Sequence, residues 1–244
     1  MIWLASFPRS GNTFFRIVLH QVYGIESGHL DPLETREDGW EKFLSYPVIK
    51  THMQPKDLDA GDPNAPAVYI IRDGRDSIVS MAHHRKDIVA PGSNYLQNMD
   101  EAIRAEDGTF FGGWSRNVKD WCERAEVVIH FEELINDPIG NIEKLRGILD
   151  LPNPDIESLP TFEDLQKKRM PYQGQRNKVE NWRKKFFRRG KSGSWKDEMP
   201  EPMQQLFWDL HGDTMEKFGY TEGCWKRPQA RKQKWYQALF NSKF

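Results

Sequence analysis

The segment Ser6-Phe7-Pro8-Arg9-Ser10-Gly11-Asn12-Thr13 gathers a cation, several hydroxyls, an amide and a glycine into one turn, more polarity than a structural turn requires. It follows the apolar run Ile2-Trp3-Leu4-Ala5 and precedes Phe14/Phe15, Val18/Leu19 and Val22, which are spaced as on a helix. A strand, a short Gly/Ser loop and a helix N-terminus in that order aim backbone N–H groups and the positive end of the helix dipole at one point, where an anion can sit. Against the nucleotide-binding pattern GxxxxGK[ST], Gly11 and Thr13 are kept, Ser6 replaces the first glycine and Asn12 replaces the lysine. That lysine normally reaches the β and γ phosphates, so its absence argues against ATP or GTP as substrate. Arg9 supplies a cation at a different point of the loop.

Two other groupings point to the same chemistry. Arg72 closes the apolar run Val68-Tyr69-Ile70-Ile71, and Ser80 lies two turns into the following helical pattern, so a guanidinium and a hydroxyl can converge on a phosphate. In Phe187-Arg188-Arg189-Gly190-Lys191-Ser192-Gly193-Ser194-Trp195-Lys196, two glycines allow close approach of backbone to a ligand and Arg188 and Arg189 can offset a dianion.

The elements that must carry these residues read as βα units. Short apolar runs at Ile2–Ser6, Val48–Lys50, Val68–Ile71 and Val127–His130 are buried parallel strands. Helical patterns cover Asn12–Val22, Asp73–His84, Gly113–Glu123, Pro138–Leu149 and Pro202–Phe218, while Lys86 to Gly112, with Pro91-Gly92-Ser93, reads as a long loop or lid. With 244 residues, 38% hydrophobic and 29% charged, the chain is globular rather than disordered or collagen-like. Cys122 and Cys224 cannot form a disulfide framework or a metal cluster, and no apolar run reaches the ~20 residues of a membrane helix. A cytoplasmic protein is expected. The net charge of −1 hides a segregation: Lys167 to Lys196 holds 12 basic residues and one acid, and Trp225 to Phe244 holds six basic residues and no acid. Such a distribution suits a polyanionic ligand meeting one region.

Taken in order, these segments resemble those of the sulfotransferases that use 3′-phosphoadenosine 5′-phosphosulfate (PAPS). SFPRSGNTF is similar to the family's 5′-phosphosulfate loop YPKSGTTW, with Arg9 for the usual lysine and Phe14 for the frequent tryptophan. Tyr69 to Ser80 is similar to the strand-RDPRDxxxS-helix segment that holds the 3′-phosphate, and Phe187 to Lys196 to the RKGxxGDWK loop, with Ser194 for the usual aspartate. Trp114 to Trp121 is similar to the SWxxHVxxW helix; its tryptophans read as core. Phe131-Glu132-Glu133-Leu134 matches YEDL, and Thr161-Phe162 precedes the adenine-side helix. The resemblance implies that Arg9, Ser10, Gly11, Asn12, Thr13 and Phe14 bind the donor's 5′ side, that Arg72, Ser80, Arg188, Arg189 and the N–H of Gly190 hold its 3′-phosphate, and that Phe14, Phe131 and Phe162 flank the adenine.

The strand Pro47–His52 ends in Lys50-Thr51-His52, similar to the family segment with its catalytic histidine. Sulfuryl transfer needs the acceptor deprotonated as it attacks sulfur in line, and an imidazole of pKa about 6.5 suits that work. The resemblance therefore implies His52 as general base, with Lys50 and Arg9 opposite the charge that grows on the departing phosphate. The implied co-substrate is PAPS, the product adenosine 3′,5′-bisphosphate, and no metal is required. His83 and His84 are adjacent and are not read as metal ligands.

The fold expected is α/β and P-loop nucleotide-kinase-like: a mostly parallel central sheet with helices on both faces, one sulfotransferase domain over 1–224 and a basic aromatic tail over 225–244 packed on it. The chain starts almost on its first strand, and Asp197-Glu198-Met199-Pro200 follows Trp195-Lys196 where animal cytosolic members carry a KTVxxxE dimer segment. A bacterial-type member without their leader is expected, its oligomeric state left open. The acceptor expected is a small, partly apolar alcohol, phenol or glycoside, or an amine, in a pocket lined by Tyr95, Met99, Phe110 and Phe111. Neither a membrane nor a nucleic acid is an expected partner. Two other readings stay open: a P-loop small-molecule kinase, which Asn12 argues against, and a non-catalytic polyanion binder, which the tail with Trp225, Trp235, Tyr236 and Phe240 suggests.

Overall fold

The computed structural model describes residues 1–30, 45–58, 61–106, 110–172 and 181–223. Five strands, β1 (Ile2–Ser6), β2 (Ser27–Leu30), β3 (Val48–Thr51), β4 (Ala67–Ile71) and β5 (Val127–His130), form one all-parallel sheet in the order β2-β3-β1-β4-β5. The described α-helices are α1 (Asn12–Tyr23), α2 (Gly74–His84), α3 (Tyr95–Ile103), α4 (Trp114–Arg124), α5 (Phe131–Asn136), α6 (Pro138–Glu143), α7 (Phe162–Lys167), α8 (Trp182–Phe186), α9 (Trp195–Glu198) and α10 (Glu201–Lys217).

The strands are apolar on both faces because helices cover both. Ile2, Leu4, Val48, Val68 and Ile70 pack with Phe15, Val18, Leu19 and Val22 of α1. Trp3, Ala5, Tyr69 and Ile71 face the other way, onto Ile78 and Val79 of α2, Trp114, Val118 and Trp121 of α4, and Phe207 of α10. Trp114 and Trp121 are fully buried core, as the sequence suggests.

The four strands read from sequence are present, with β3 and β4 each one residue longer. β2 was not expected: Ser27-Gly28-His29-Leu30 has no β-rich signal, and the strand is held from outside its own sequence. Arg16 donates from Nε to Ser27 Oγ at 2.7 Å and from Nη2 to the Ser27 carbonyl at 2.9 Å, while Tyr172 Oη accepts the Ser27 N–H at 3.0 Å. The long loop expected over 86–112 is also corrected. A π-helical turn (Arg85–Val89) extends α2, and α3 follows, started by the Asn94 side chain accepting from the Gln97 N–H at 3.0 Å. The helix expected over 138–149 keeps α-form only to Glu143 and continues as turns. The tail at 225–244 lies outside the described residues.

The start of α2 is packed to contact. A Cβ built on Gly74 would lie 2.4 Å from Phe207 Cζ and 2.7 Å from Trp114 Cε2, both on fully buried rings. Gly74→Ala is expected to lower the unfolding free energy by about 1–3 kcal/mol through overpacking, read from urea denaturation; unchanged stability would mean that this contact is looser than described.

Candidate active site

In a parallel sheet every strand leaves by the same edge, and ligands gather there where the connections diverge to opposite sides. Here that point is β1, with β3 on one side and β4 on the other. Its exit loop leads to a cavity of about 1740 Å³. Arg9, Gly11, Asn12, Thr13 and Phe14 from the loop and α1 line it, as do Lys50 and His52 beyond β3, Arg72 beyond β4, Ser80 on α2, Phe131 beyond β5, Phe162, Arg188, Arg189 and Gly190. Of the residues expected to bind the donor or act in catalysis, only Ser10 is absent from the wall: it is buried, and its hydroxyl lies 3.4 Å from that of Ser77.

The loop turns on two left-handed residues, Arg9 at φ 67° and Gly11 at φ 97°. Gly11 is required twice over, since a Cβ there would also lie 2.6 Å from Phe131 Cδ2. The first turn of α1 carries no acid that would compete with a bound anion. Asn12, in the place of the kinase lysine, turns back instead of outward: Nδ2 donates to the Leu4 carbonyl and to Ser6 Oγ, each at 3.2 Å. Arg9 donates from Nε to Ser80 Oγ at 3.2 Å and from Nη2 to the Phe186 carbonyl at 2.7 Å, and its guanidinium stacks 4.0 Å over the Phe186 ring. The expected 5′-side cation and 3′-side hydroxyl are thus in direct contact.

Arg72 donates to the carbonyls of Arg9 at 2.9 Å and Lys191 at 3.2 Å, and stacks 4.2 Å over Phe131. The loop at 190–195 is held by Asp76, whose carboxylate accepts from the Gly193 N–H at 2.7 Å and the Trp195 N–H at 3.1 Å. Ser194, in the family's aspartate position, is buried and takes no part in that bracing. Burial raises the Asp76 pKa above the usual carboxylate value, against the pull of Arg72. Asp73 caps α2 by accepting the Arg75 N–H at 2.9 Å, and pairs with the Arg75 guanidinium, which lies 3.7 Å over Trp195 and donates to the carbonyls of Thr221 and Glu222.

Glu198 had no assigned role. Its carboxylate takes Arg188 Nη1 at 2.6 Å, Arg189 Nε at 3.2 Å and His83 Nε2 at 2.7 Å, so both expected 3′-phosphate arginines share one internal anion. Burial pushes its pKa up, but the hydrogen bonds and charges of Arg188, His83 and Arg189 together outweigh this and hold it below the usual value. The available signal was an acid shortly after a basic run. Phe162 covers Gly190, where a Cβ would lie 2.3 Å from Phe162 Cε2.

On the acceptor side the structure corrects the lining. Phe111 is on the wall, but Met99 is fully buried core, and Tyr95 stacks on His83 at 4.5 Å and donates to the Glu198 carbonyl at 3.2 Å. Only the backbone of Phe110 is described. Met53, Gln54, Met81, His84, Asn98 and Ala102 stand there instead. His52 is oriented from behind: Nδ1 lies 2.7 Å from the Ser6 carbonyl, which can only accept, so Nδ1 is the donor and the neutral ring carries its lone pair on Nε2.

An open parallel sheet with an anion loop at its switch point, a cation-lined cavity and an oriented imidazole is the arrangement of a protein that handles a phosphorylated ligand. A family model described as "Sulfotransferase domain" matches residues 1–219, and the chain belongs to the sulfotransferase family. It is therefore an enzyme of sulfuryl transfer. Flavonol 3-sulfotransferase of Flaveria bidentis is 27% identical, over 87% of this chain and 82% of its own length; cytosolic sulfotransferase 1 of Danio rerio is 23% identical, over 88% and 82%. Mouse sulfotransferase SULT7A1, crystallised with PAP, superposes with a TM-score of 0.67 at 20% identity, covering 88% of this chain and 84% of that one, which establishes the fold.

Behind Arg72 and Asp73 lies a buried titrating group. Glu132 accepts the Asp73 N–H at 3.2 Å and the Tyr220 hydroxyl at 3.0 Å, and that hydroxyl lies 3.2 Å from His130 Nδ1. Burial raises Glu132 to about 7 and lowers His130 to about 4. Between about 4.5 and 7 the native Glu132 keeps a proton that the unfolded chain has lost, so rising pH destabilises the fold. Between about 6.5 and 4 the unfolded chain protonates His130 while the native chain does not, so falling pH destabilises it. The two slopes oppose each other in the wild type. In Glu132→Gln the opposing slope of Glu132 is gone while that of His130 remains, so stability from urea unfolding should climb more steeply with pH up to about 6.5 than in the wild type; an unchanged slope would show that Glu132 is already ionised in that window.

Proposed function

We propose that His52 is the general base by which this chain transfers the sulfuryl group of PAPS to a hydroxyl of a small, partly apolar acceptor. The observation that carries this is that one cavity holds both the anion loop and an imidazole whose Nδ1 is committed to the Ser6 carbonyl. The acceptor O–H gives its proton to Nε2 as its oxygen bonds to sulfur. The bond from sulfur to the bridging oxygen breaks, and adenosine 3′,5′-bisphosphate leaves. Lys50 and Arg9 offset the charge arriving on the departing phosphate, which is larger in the transition state than in the ground state. Arg72, Ser80, Arg188, Arg189 and the Gly190 N–H take the 3′-phosphate, and the arginines exchange part of their contact with Glu198 to do so. Phe14, Phe131 and Phe162 border the adenine.

The acceptor wall of Met53, Met81, Ile88 and Phe111, with Gln54, His84 and Asn98 among them, fits a phenol or another apolar alcohol with a second polar group. The similarity to a flavonol sulfotransferase supports the phenol. The same reading takes 1–224 as one domain bearing the 225–244 tail, and places the protein in the cytoplasm. The cytosolic relative supports that location, as does the absence, among the described residues, of a helix long and apolar enough to cross a membrane.

His52→Ala should lower kcat by about 10²–10⁴-fold and leave adenosine 3′,5′-bisphosphate binding intact; full activity would remove His52 from the mechanism. The melting temperature should rise with adenosine 3′,5′-bisphosphate and not with Mg·ATP, and the reverse would favour a kinase. A panel of phenols, alcohols, glycosides and amines with PAPS, read by bisphosphate release, identifies the acceptor.

A further inference from the structure

β3 makes its last sheet pairings at Thr51, so the carbonyls of His52 and Met53 lie beyond the ladder. Backbone acceptors in the interior need donors, and α4 provides two from residues one turn apart. Asn117 Nδ2 donates to the His52 carbonyl at 3.3 Å, and Trp121 Nε1 to the Met53 carbonyl at 2.8 Å. The second Asn117 hydrogen goes to the Phe111 carbonyl at 3.2 Å, which Gln54 Nε2 also reaches at 2.9 Å. Phe111 needs this hold, because its backbone is left-handed at φ 61° without being glycine. Its ring lies 5.7 Å from that of His52, across the acceptor side of the cavity.

Asn117 is fully buried, and its amide cannot turn over. Oδ1 accepts the Tyr69 hydroxyl at 2.9 Å, and burial lifts the Tyr69 pKa far above its usual value, so that hydroxyl stays a donor. Two carbonyls on the other side accept only, and the orientation is set from both directions.

We propose that Asn117 is the positioning residue for His52: it joins the backbone of the base and the backbone of the facing Phe111 wall to the floor of the sheet through Tyr69. Ser6 fixes the imidazole by its ring, and Asn117 fixes it by its main chain, so together they determine where Nε2 meets the acceptor oxygen. The family pattern to which this helix is similar has histidine at this position. A neutral imidazole has one N–H to give, whereas the amide has two, so the double hold belongs to the residue that this chain carries. The proposal rests on His52 as base.

The test is a double-mutant cycle with unsubstituted phenol as probe acceptor, which stays protonated at neutral pH and so needs the base, and radiolabelled PAPS to follow residual turnover. Asn117→Leu should lower kcat by about 10²-fold, as expected when a base is displaced, with the Kd for adenosine 3′,5′-bisphosphate within about twofold of wild type. In the His52→Ala background the same substitution should cost almost nothing, because the group it positions is already gone. Equal losses in both backgrounds, or a parallel loss of bisphosphate affinity, would assign Asn117 a purely structural role and overturn the proposal. If Asn117→Leu does not fold, Tyr69→Phe removes the orienting hydroxyl, which also takes a hydrogen bond from the Phe7 backbone, so the Kd for adenosine 3′,5′-bisphosphate is measured beside kcat and should stay within about twofold of wild type. This substitution should also lower kcat in the wild type and not in His52→Ala, and an unchanged kcat overturns the proposal. Full activity of His52→Ala by itself would instead defeat the reading of His52 as base.

Discussion

Five parallel strands must all end at the same edge of the sheet, and most of what this molecule does depends on that constraint. Antiparallel pairing would send alternate strand ends to opposite edges. With β1 in the middle of the order β2-β3-β1-β4-β5, the anion loop opens between the ends of β3 and β4, and Lys50, His52 and Arg72 arrive beside it. Helix α1 begins at the same point, so the partial positive charge of its N-terminus and the cations of three other segments act on one volume. The Ser6 carbonyl, freed as β1 ends, then orients the His52 ring. The anion loop and the His52 imidazole are thus positioned by one strand.

The second organising demand is charge compensation below that edge. The Asp73–Arg75 pair, both only 2% exposed, is satisfied on every side by an N–H, two carbonyls and an indole face. Such a pair costs desolvation and gives little net stability, but breaking it leaves a buried charge. Asp76, next to it, is directed at the Gly193–Trp195 backbone, so α2 and the basic loop are tied together. Glu198 completes the pattern by pairing with both Arg188 and Arg189. The concentration of positive charge in 167–196 is thereby partly neutralised inside the fold.

Much of this organisation is legible in the residues. Four strands announce themselves because fully buried parallel strands are short apolar runs, and α1, α2, α4 and α10 because their apolar residues recur at three and four. β2 is hidden, since Ser27 and Gly28 have no strand preference and the strand exists by virtue of Arg16, Tyr172 and its pairing with β3. Helix α3 is hidden behind Pro91-Gly92-Ser93, although Asn94 is a good cap. The cavity wall here is hidden for the same reason: because 95–103 is a helix, Met99 turns to the core and Asn98 and Ala102 to the cavity.

The sequence by itself determined the class of chemistry, because a phosphate loop is a local object: a turn, a glycine at positive φ and a helix start occupy consecutive residues. It also determined what the loop lacks, the lysine that Asn12 replaces. Only the tertiary structure decided how distant groups pair: that Arg188 and Arg189 meet Glu198, that Asp76 rather than Ser194 holds the glycine loop, and that Asn117 reaches the carbonyls of His52 and Phe111. These contacts join residues far apart along the chain or on different elements, and they satisfy buried donors and acceptors whose number and direction exist only after the sheet and helices have packed.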